Sequence, residues 1–181
     1  MGYDERAGSV KPPAPPPDKD IRALARLFVP GYRGSIVKGD VRFQVIEHGS
    51  PDYRAAIRLR DEILKNPEGR NTTPADVQAE RAWTHVAGYL DGELRATCLL
   101  VDEPGKVRMK RVAVATSVQG QGIGTGLLAF CEEYARAKDA DEIYAHAREN
   151  AVRFYERAGY TSEGDYFDEV GIPHMLVRKQ L

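Results

Sequence analysis

Four glycines stand at every second position of one short stretch: Gly120, Gly122, Gly124 and Gly126. They follow an expected strand, Val107 to Val114. They open a segment whose apolar residues recur at helical spacing: Ile123, Leu127, Leu128, Cys131, Tyr134 and Ala135. Lacking a Cβ, glycine lets the backbone adopt positive φ and come close to a ligand. A helix start adds N–H groups with no intrahelical partner and the positive end of the helix dipole. A strand, a glycine loop and a helix in that order suit a phosphate or pyrophosphate. For Gly126, already inside the helix, close packing is the simpler reading.

Two common phosphate loops are disfavoured. A nucleotide-hydrolysing loop needs Gly-Lys-Ser/Thr at its end, and Gly124 is followed by Thr125 with no lysine. A dinucleotide fingerprint needs a third glycine at fixed spacing. That position is Thr125 counted from Gly120, and Leu127 counted from Gly122.

Other residue types could handle protons. His174 could accept one, directly or through water, although a lone histidine beside an apolar strand is more often structural. Glu62, Glu103 and Glu169 are further candidates for a base, set against the usual role of carboxylates as solvated surface. Arg58 and Arg60 could attract a carboxylate or phosphate. His48, His85 and His146 share no ligand-like spacing, so no metal is expected. Cys98 and Cys131 lie in apolar surroundings without Cys-x-x-Cys spacing and read as small core residues.

The elements that must position these groups can be traced from Val41. Val41 to Val45 alternates as a half-buried strand. Ser50-Pro51 opens a helix with Tyr53, Ala56, Ile57, Ile63 and Leu64 on its buried stripe, stopped by residues 66–69. Thr73-Pro74 opens a short helix to about Arg81. Trp83–Leu90 and Glu93–Val101 flank Asp91-Gly92, a hairpin turn pair. Residues 102–105 turn again, into the strand Val107–Val114. After the glycine helix, residues 139–141 break the pattern. Glu142–Ala147 reads as a strand and Asn150–Ala158 as a helix with Gly159 just past its end. Tyr160–Glu163 and His174–Lys179 are the last expected strands. The order predicts an α/β domain with a mixed, mostly antiparallel sheet flanked by helices. Its right-handed β-α-β crossover falls at the glycine loop.

The chain has 181 residues, 42% of them hydrophobic, with a net charge of −1. That is enough for one cored domain plus an extension, and it gives no electrostatic reason to expect nucleic acid or an anionic membrane. No apolar run approaches the ~20 residues of a membrane span, and the N-terminus lacks a signal-peptide core. A cytoplasmic protein is the expectation. Residues 1–40 form a Pro-rich extension with a short helix expected over 20–29. That arm is free to cap the domain or to pair with a second subunit in a homodimer, and both alternatives stay open.

Gln119-Gly120-Gln121-Gly122-Ile123-Gly124 resembles the Gln/Arg-x-x-Gly-x-Gly/Ala loop of the GNAT superfamily of N-acetyltransferases. Arg111–Val114 resembles the strand before that loop. Phe154-Tyr155-Glu156-Arg157-Ala158-Gly159-Tyr160 resembles its Tyr-Glu-x-x-Gly segment. Residues 58–64 and 171–175 are similar to an ElaA- and YjcF-like bacterial branch. The likeness runs over 41–181 in motif order. It implies acetyl-CoA as co-substrate, and direct attack on its thioester by a small amine or a protein amino group. It implies that Val112, Ala113 and Val114 lie along the pantetheine arm and that Gln119, Gly120, Gln121, Gly122, Ile123, Gly124 and Thr125 hold the phosphates. It implies that Tyr155 contacts the coenzyme and protonates the leaving thiolate, with His174 as a catalytic candidate. Where members carry Asn seven residues before that tyrosine, this chain has Arg148. Asn150, two residues on, is a candidate for the coenzyme contact or, alternatively, for starting the helix. The rival readings are an acyl-CoA-binding sensor without turnover and a nucleotide-binding fold.

Overall fold

A computed structural model describes residues 39–64, 69 and 71–181. The Pro-rich tract, the helix expected over 20–29 and most of the stop expected at 66–69 lie outside the described residues. One sheet holds seven strands: β1 (Val41–Ile46), β2 (Thr84–Leu90), β3 (Glu93–Glu103), β4 (Lys106–Val114), β5 (Glu142–Arg148), β6 (Thr161–Glu169) and β7 (Ile172–Gln180). Their spatial order is β1-β2-β3-β4-β5-β7-β6. β4 and β5 pair in parallel and every other neighbour pair is antiparallel. The helices are α1 (Pro51–Ile63), α2 (Pro74–Ala79), α3 (Ile123–Ala137) and α4 (Val152–Arg157).

Local chemistry fixes the element ends. Ser50 Oγ accepts the Tyr53 N–H at 3.1 Å, with Pro51 in the first turn of α1. Thr73 and Asp76 form a capping box on α2. Asp91 and Gly92 take φ of 52° and 82°, as a two-residue hairpin turn requires. At the end of α4, Gly159 has φ of 87° and the Tyr160 N–H donates to the Tyr155 carbonyl at 3.1 Å.

The apolar stripe of α3 lies wholly in the core, on Val107, Met109, Ile143, Ala145 and Val177 of the sheet. Cys98 and Cys131 are free thiols inside that core, as expected, with their sulfurs 3.3 Å apart. On the opposite face, Tyr53 and Ala56 of α1 pack on Ala87 and Tyr89.

Three expectations need correction. The buried stripe of α1 uses Leu59 and Arg60, whereas Ile57, Ile63 and Leu64 are only partly covered. A salt-bridge partner makes burial of Arg60 tolerable, and composition alone does not reveal it. Asn150 lies in a 3₁₀ turn at Glu149–Ala151, and α4 starts only at Val152 with no side-chain cap. The last two strands are longer than expected and meet at Val170-Gly171, with φ of 58° and 72°. Pro173 fits inside β7 because the β5 pairing begins one residue later, at His174, so its missing N–H removes no ladder bond on that side.

Candidate active site

The sheet splits between β4 and β5. Their parallel pairing runs from Lys106–Glu142 only as far as Met109–Ala145. Beyond that point β4 stays on β3 up to Val114, and β5 stays on β7 up to Arg148. The gap opens a cleft of about 1120 Å³. Its walls include Val112, Ala113, Val114, Gln119, Gly120, Gln121, Gly122, Gly124, Thr125, Asn150, Tyr155 and His174. One cavity thus collects every coenzyme-contact candidate named from the sequence except Ile123, together with His174. That side chain is fully buried in the core, which leaves only its backbone to face a ligand.

β4 carries a bulge at the mouth of the split. Thr97 pairs with Ala113 and Leu99 with Lys110, so Arg111 and Val112 together oppose Cys98. Arg111 takes the extra residue's strain at φ of 51°. The bulge interrupts the ladder where the strand edge enters the cleft.

The glycine loop follows. Gln119 is spent on the loop itself: its Nε2 donates to the Val114 carbonyl at 2.9 Å and its backbone N–H to the Thr116 carbonyl at 3.3 Å. Gln121 Nε2 donates to the Ser117 carbonyl at 3.2 Å. Gly122 sits at φ of 89° as the N-cap of α3, and the Gly126 N–H makes the bond back to its carbonyl. By helix geometry the N–H groups of Ile123, Gly124 and Thr125 have no carbonyl one turn back. A Cβ on Gly124 would lie 3.1 Å from the Phe154 ring and 3.5 Å from Val114, so glycine is needed for α4 to close on the loop.

Tyr155 is 4% exposed, edge-on to Phe154 and Tyr160. Burial, with Cys98 and Cys131 nearby, pushes its hydroxyl well above the usual tyrosine range. It stays a proton donor at any pH the protein meets. Arg148 donates to the Leu64 carbonyl at 2.8 Å, tying the end of β5 to α1. Burial lowers its pKa.

The wall across from the loop is made of side chains. Arg60, 2% exposed, donates to Glu80 at 2.8 Å, and Glu80 also holds Arg111 Nε at 3.1 Å. Arg60 lines the cleft as expected, but as half of a buried ion pair; Arg58 is exposed. Lys110 lies over the Trp83 ring at 4.7 Å, its pKa lowered by burial and by Arg108. His174 is 9% exposed, with Nδ1 2.8 Å from the Ile172 carbonyl. A carbonyl only accepts, so Nδ1 carries the proton and Nε2 holds the lone pair of the neutral ring. Of the carboxylates weighed from the sequence, Glu62 is exposed, Glu103 accepts from the Tyr144 hydroxyl at 2.9 Å, and Glu169 lies in the cleft beside His146. His146 was read from the sequence only as a non-ligand. Strand register places it in the wall, and no local motif signals it. No group of three potential metal ligands occurs among the described residues.

A family model described as acetyltransferase (GNAT) family matches residues 52–160. The chain belongs to the GNAT acetyltransferase family. GNAT proteins with solved structures share its fold. An acyl-CoA N-acyltransferase from Pseudomonas aeruginosa superposes with a TM-score of 0.62 at 23% identity, over 77% of this chain and 99% of that one. Escherichia coli ElaA gives 0.63 at 20%, over 78% and 100%. A GNAT family acetyltransferase from Elizabethkingia anophelis with acetyl-CoA bound gives 0.61 at 16%, over 80% and 100%. In sequence, YyaT of Bacillus subtilis is 27% identical over 74 residues, 41% of this chain and 50% of that protein. A second B. subtilis relative is matched over 54% of its length, so the chain spans about half the length of the first curated relatives it matches. Among the described residues, no helix is long and apolar enough to cross a membrane.

Proposed function

We propose that the protein transfers an acetyl group from acetyl-CoA to a primary amine by direct attack on the thioester. The observation that carries this reading is the split between β4 and β5 with a glycine-started helix at its end. An edge strand offers a pantetheine chain backbone hydrogen bonds, here from Val112 to Val114. The N–H groups of Ile123, Gly124 and Thr125 and the dipole of α3 suit the pyrophosphate. Gly120 and Gln121 shape the turn and Gln119 braces it. Asn150, exposed on the cleft rim, offers its amide to the coenzyme arm.

The chemistry needs a neutral amine, a stabilised oxyanion and a protonated leaving group. The bulge at Arg111 and Val112 takes main chain out of the β3–β4 ladder beside the cleft, which suits an N–H donor for the carbonyl oxygen. Tyr155, held protonated by burial, gives its proton to the departing sulfur. His174 offers Nε2 to the amine or to a water bridging to it. We assign residues 41–181 to the transferase domain and 1–40 to an extension. Reliance on acetyl-CoA supports a cytoplasmic location. The acceptor is a small amine or a protein amino group.

Thiol release from acetyl-CoA across a panel of amines, amino acids and lysine peptides tests the reading. Turnover with at least one acceptor is expected. Coenzyme binding without product for any acceptor would favour the acyl-CoA sensor. Thermal stabilisation by NAD or ATP but not by acetyl-CoA would favour a nucleotide-binding fold.

A further inference from the structure

His146 and Glu169 form a dyad that the proposed chemistry has not used. His146 Nδ1 lies 2.6 Å from Glu169 Oε2. Both residues line the cleft, and the His146 side chain keeps 27% of its surface exposed. The placement is specific. On β5, Ala145 is the last residue paired with β4, and His146 is the next, so it stands at the vertex of the split. Its neighbours Ala145 and Ala147 are buried in the core beneath, which places His146 on the opposite face of the sheet. Glu169 reaches it from across β7. β6 carries a register shift between Glu163 and Phe167, and beyond it Phe167 packs edge-on to His146 at 4.9 Å.

The proton position follows from the partners. Burial works to raise the Glu169 pKa, but the hydrogen bond from His146 and the nearby Arg108 charge carry it below the usual range. Glu169 is therefore a carboxylate and only accepts. A 2.6 Å contact then requires the proton on Nδ1, leaving the lone pair on Nε2. Arg108 Nη2 also lies 2.8 Å from Nδ1, and it cannot donate there while Nδ1 carries that proton. Its charge instead serves Glu169, 3.8 Å away. The other titratable or charged groups around the ring are Lys110 from β4, Tyr144 from β5 and His174 from β7.

We propose that His146, rather than His174, is the general base that deprotonates the incoming amine, with Glu169 as its positioning partner. This rests on the transfer reading above. An amine arriving as an ammonium gives one proton to His146 Nε2, which passes it to solvent. The nitrogen lone pair forms the C–N bond. As the C–S bond breaks, the sulfur keeps the bonding pair and takes a proton from Tyr155. The second N–H proton leaves the nitrogen and restores the Tyr155 hydroxyl through solvent. One amide, one thiol and one released proton result.

The experiment compares wild type, His146→Gln and Glu169→Gln. It uses acetyl-CoA binding by calorimetry, thiol release over the same amine panel, and ¹⁵N spectra of the histidine rings. Expected are unchanged acetyl-CoA affinity in all three, and kcat lowered about 10²-fold in His146→Gln. A smaller kcat loss is expected in Glu169→Gln, with KM for acetyl-CoA unchanged. In wild type the neutral His146 ring should carry its proton on Nδ1, and Glu169→Gln should mix the two tautomers. If wild type turns over and His146→Gln matches its kcat across pH 6–9, or if His146 carries its proton on Nε2, the base assignment is wrong and the transfer reading survives. If wild type releases no thiol with any amine, the transfer reading falls and the base assignment falls with it.

Discussion

The two walls of the cleft are built from different material. The coenzyme wall is main chain: the edge of β4, its bulge at Arg111, and the N–H groups that begin α3. The opposing wall is side chain: Arg60, Arg108, His146, Glu169 and His174, drawn from α1 and four strands, with Glu80 of the 3₁₀ turn at 80–82 buried behind Arg60. A backbone wall recognises a chemical constant, a diphosphate on an amide-bearing arm, and tolerates exchange of most side chains. A side-chain wall is set by individual residues, which suits it to selecting an acceptor. The difference predicts that mutations in the two walls separate into coenzyme affinity on one side, and stability and turnover on the other.

The largest effect should come from the base of the side-chain wall. Arg60→Met leaves the Glu80 carboxylate, 1% exposed, with the Arg111 guanidinium and the Tyr53 hydroxyl beside it. Removing one partner of a buried pair costs about 3–5 kcal/mol, and denaturant unfolding should show a loss of that order. Acetyl-CoA should still raise the Tm of the variant, because the loop does not depend on this pair. Loss of that increment would break the separation of the walls.

Acid should act on the same wall. His85 donates Nε2–H to the Glu80 carbonyl at 3.1 Å, and burial holds its pKa at about 4 against 6.5 when free. Below pH 6.5 the unfolded chain binds a proton that the folded chain refuses. Stability should therefore fall from pH 6.5 to about 4, by on the order of 3 kcal/mol from this group. Unfolding curves of His85→Gln should be flatter over that window; an identical slope would remove His85 as the cause.

Turnover should respond next. Tyr155→Phe keeps the packing on Phe154 and Tyr160 and deletes the donor, so kcat should fall about 10²-fold near neutral pH with acetyl-CoA affinity unchanged. Because burial raises this hydroxyl, wild type should show no loss of rate from Tyr155 ionising below the ordinary tyrosine range. An unchanged rate in the variant would remove Tyr155 as the acid.

The smallest effect belongs to the backbone wall. Gly124→Ala places a methyl 3.1 Å from the Phe154 ring, which must shift by a few tenths of an ångström. Acetyl-CoA should bind roughly tenfold more weakly, about 1.4 kcal/mol, with little change in kcat at saturation. A kcat loss at unchanged affinity would reverse the assignment of the two walls.

The same contrast explains what could be read from the sequence. Gly120, Gly122 and Gly124 announce the coenzyme wall because left-handed φ and a close helix–loop contact exclude other residues, and the glycines adjoin in sequence. Ser50-Pro51, Asp91-Gly92 and Gly159 mark element ends for the same local reason. His146 and Glu169 carry no such mark. They are 23 residues apart, on β5 and β6, and meet across β7 through the register of three strands. Arg60 reads as a residue that attracts an anion, but its actual partner, Glu80, lies 20 residues away beyond another helix start, where no local pattern points to it. Local rules fix backbone geometry, whereas strand register assembles side chains, and register is a property of the whole sheet.

The central claim is that main-chain N–H groups at 123–125 hold a diphosphate. Calorimetry and amide NMR on the wild-type protein, with acetyl-CoA set against a truncated acetyl thioester that lacks the diphosphate, test it most directly. The account predicts that acetyl-CoA binds, that it shifts the amide signals of Ile123 to Thr125, and that the truncated thioester loses most of the affinity. Equal affinity for both compounds, or saturation by acetyl-CoA that leaves those three amides unmoved, would contradict it.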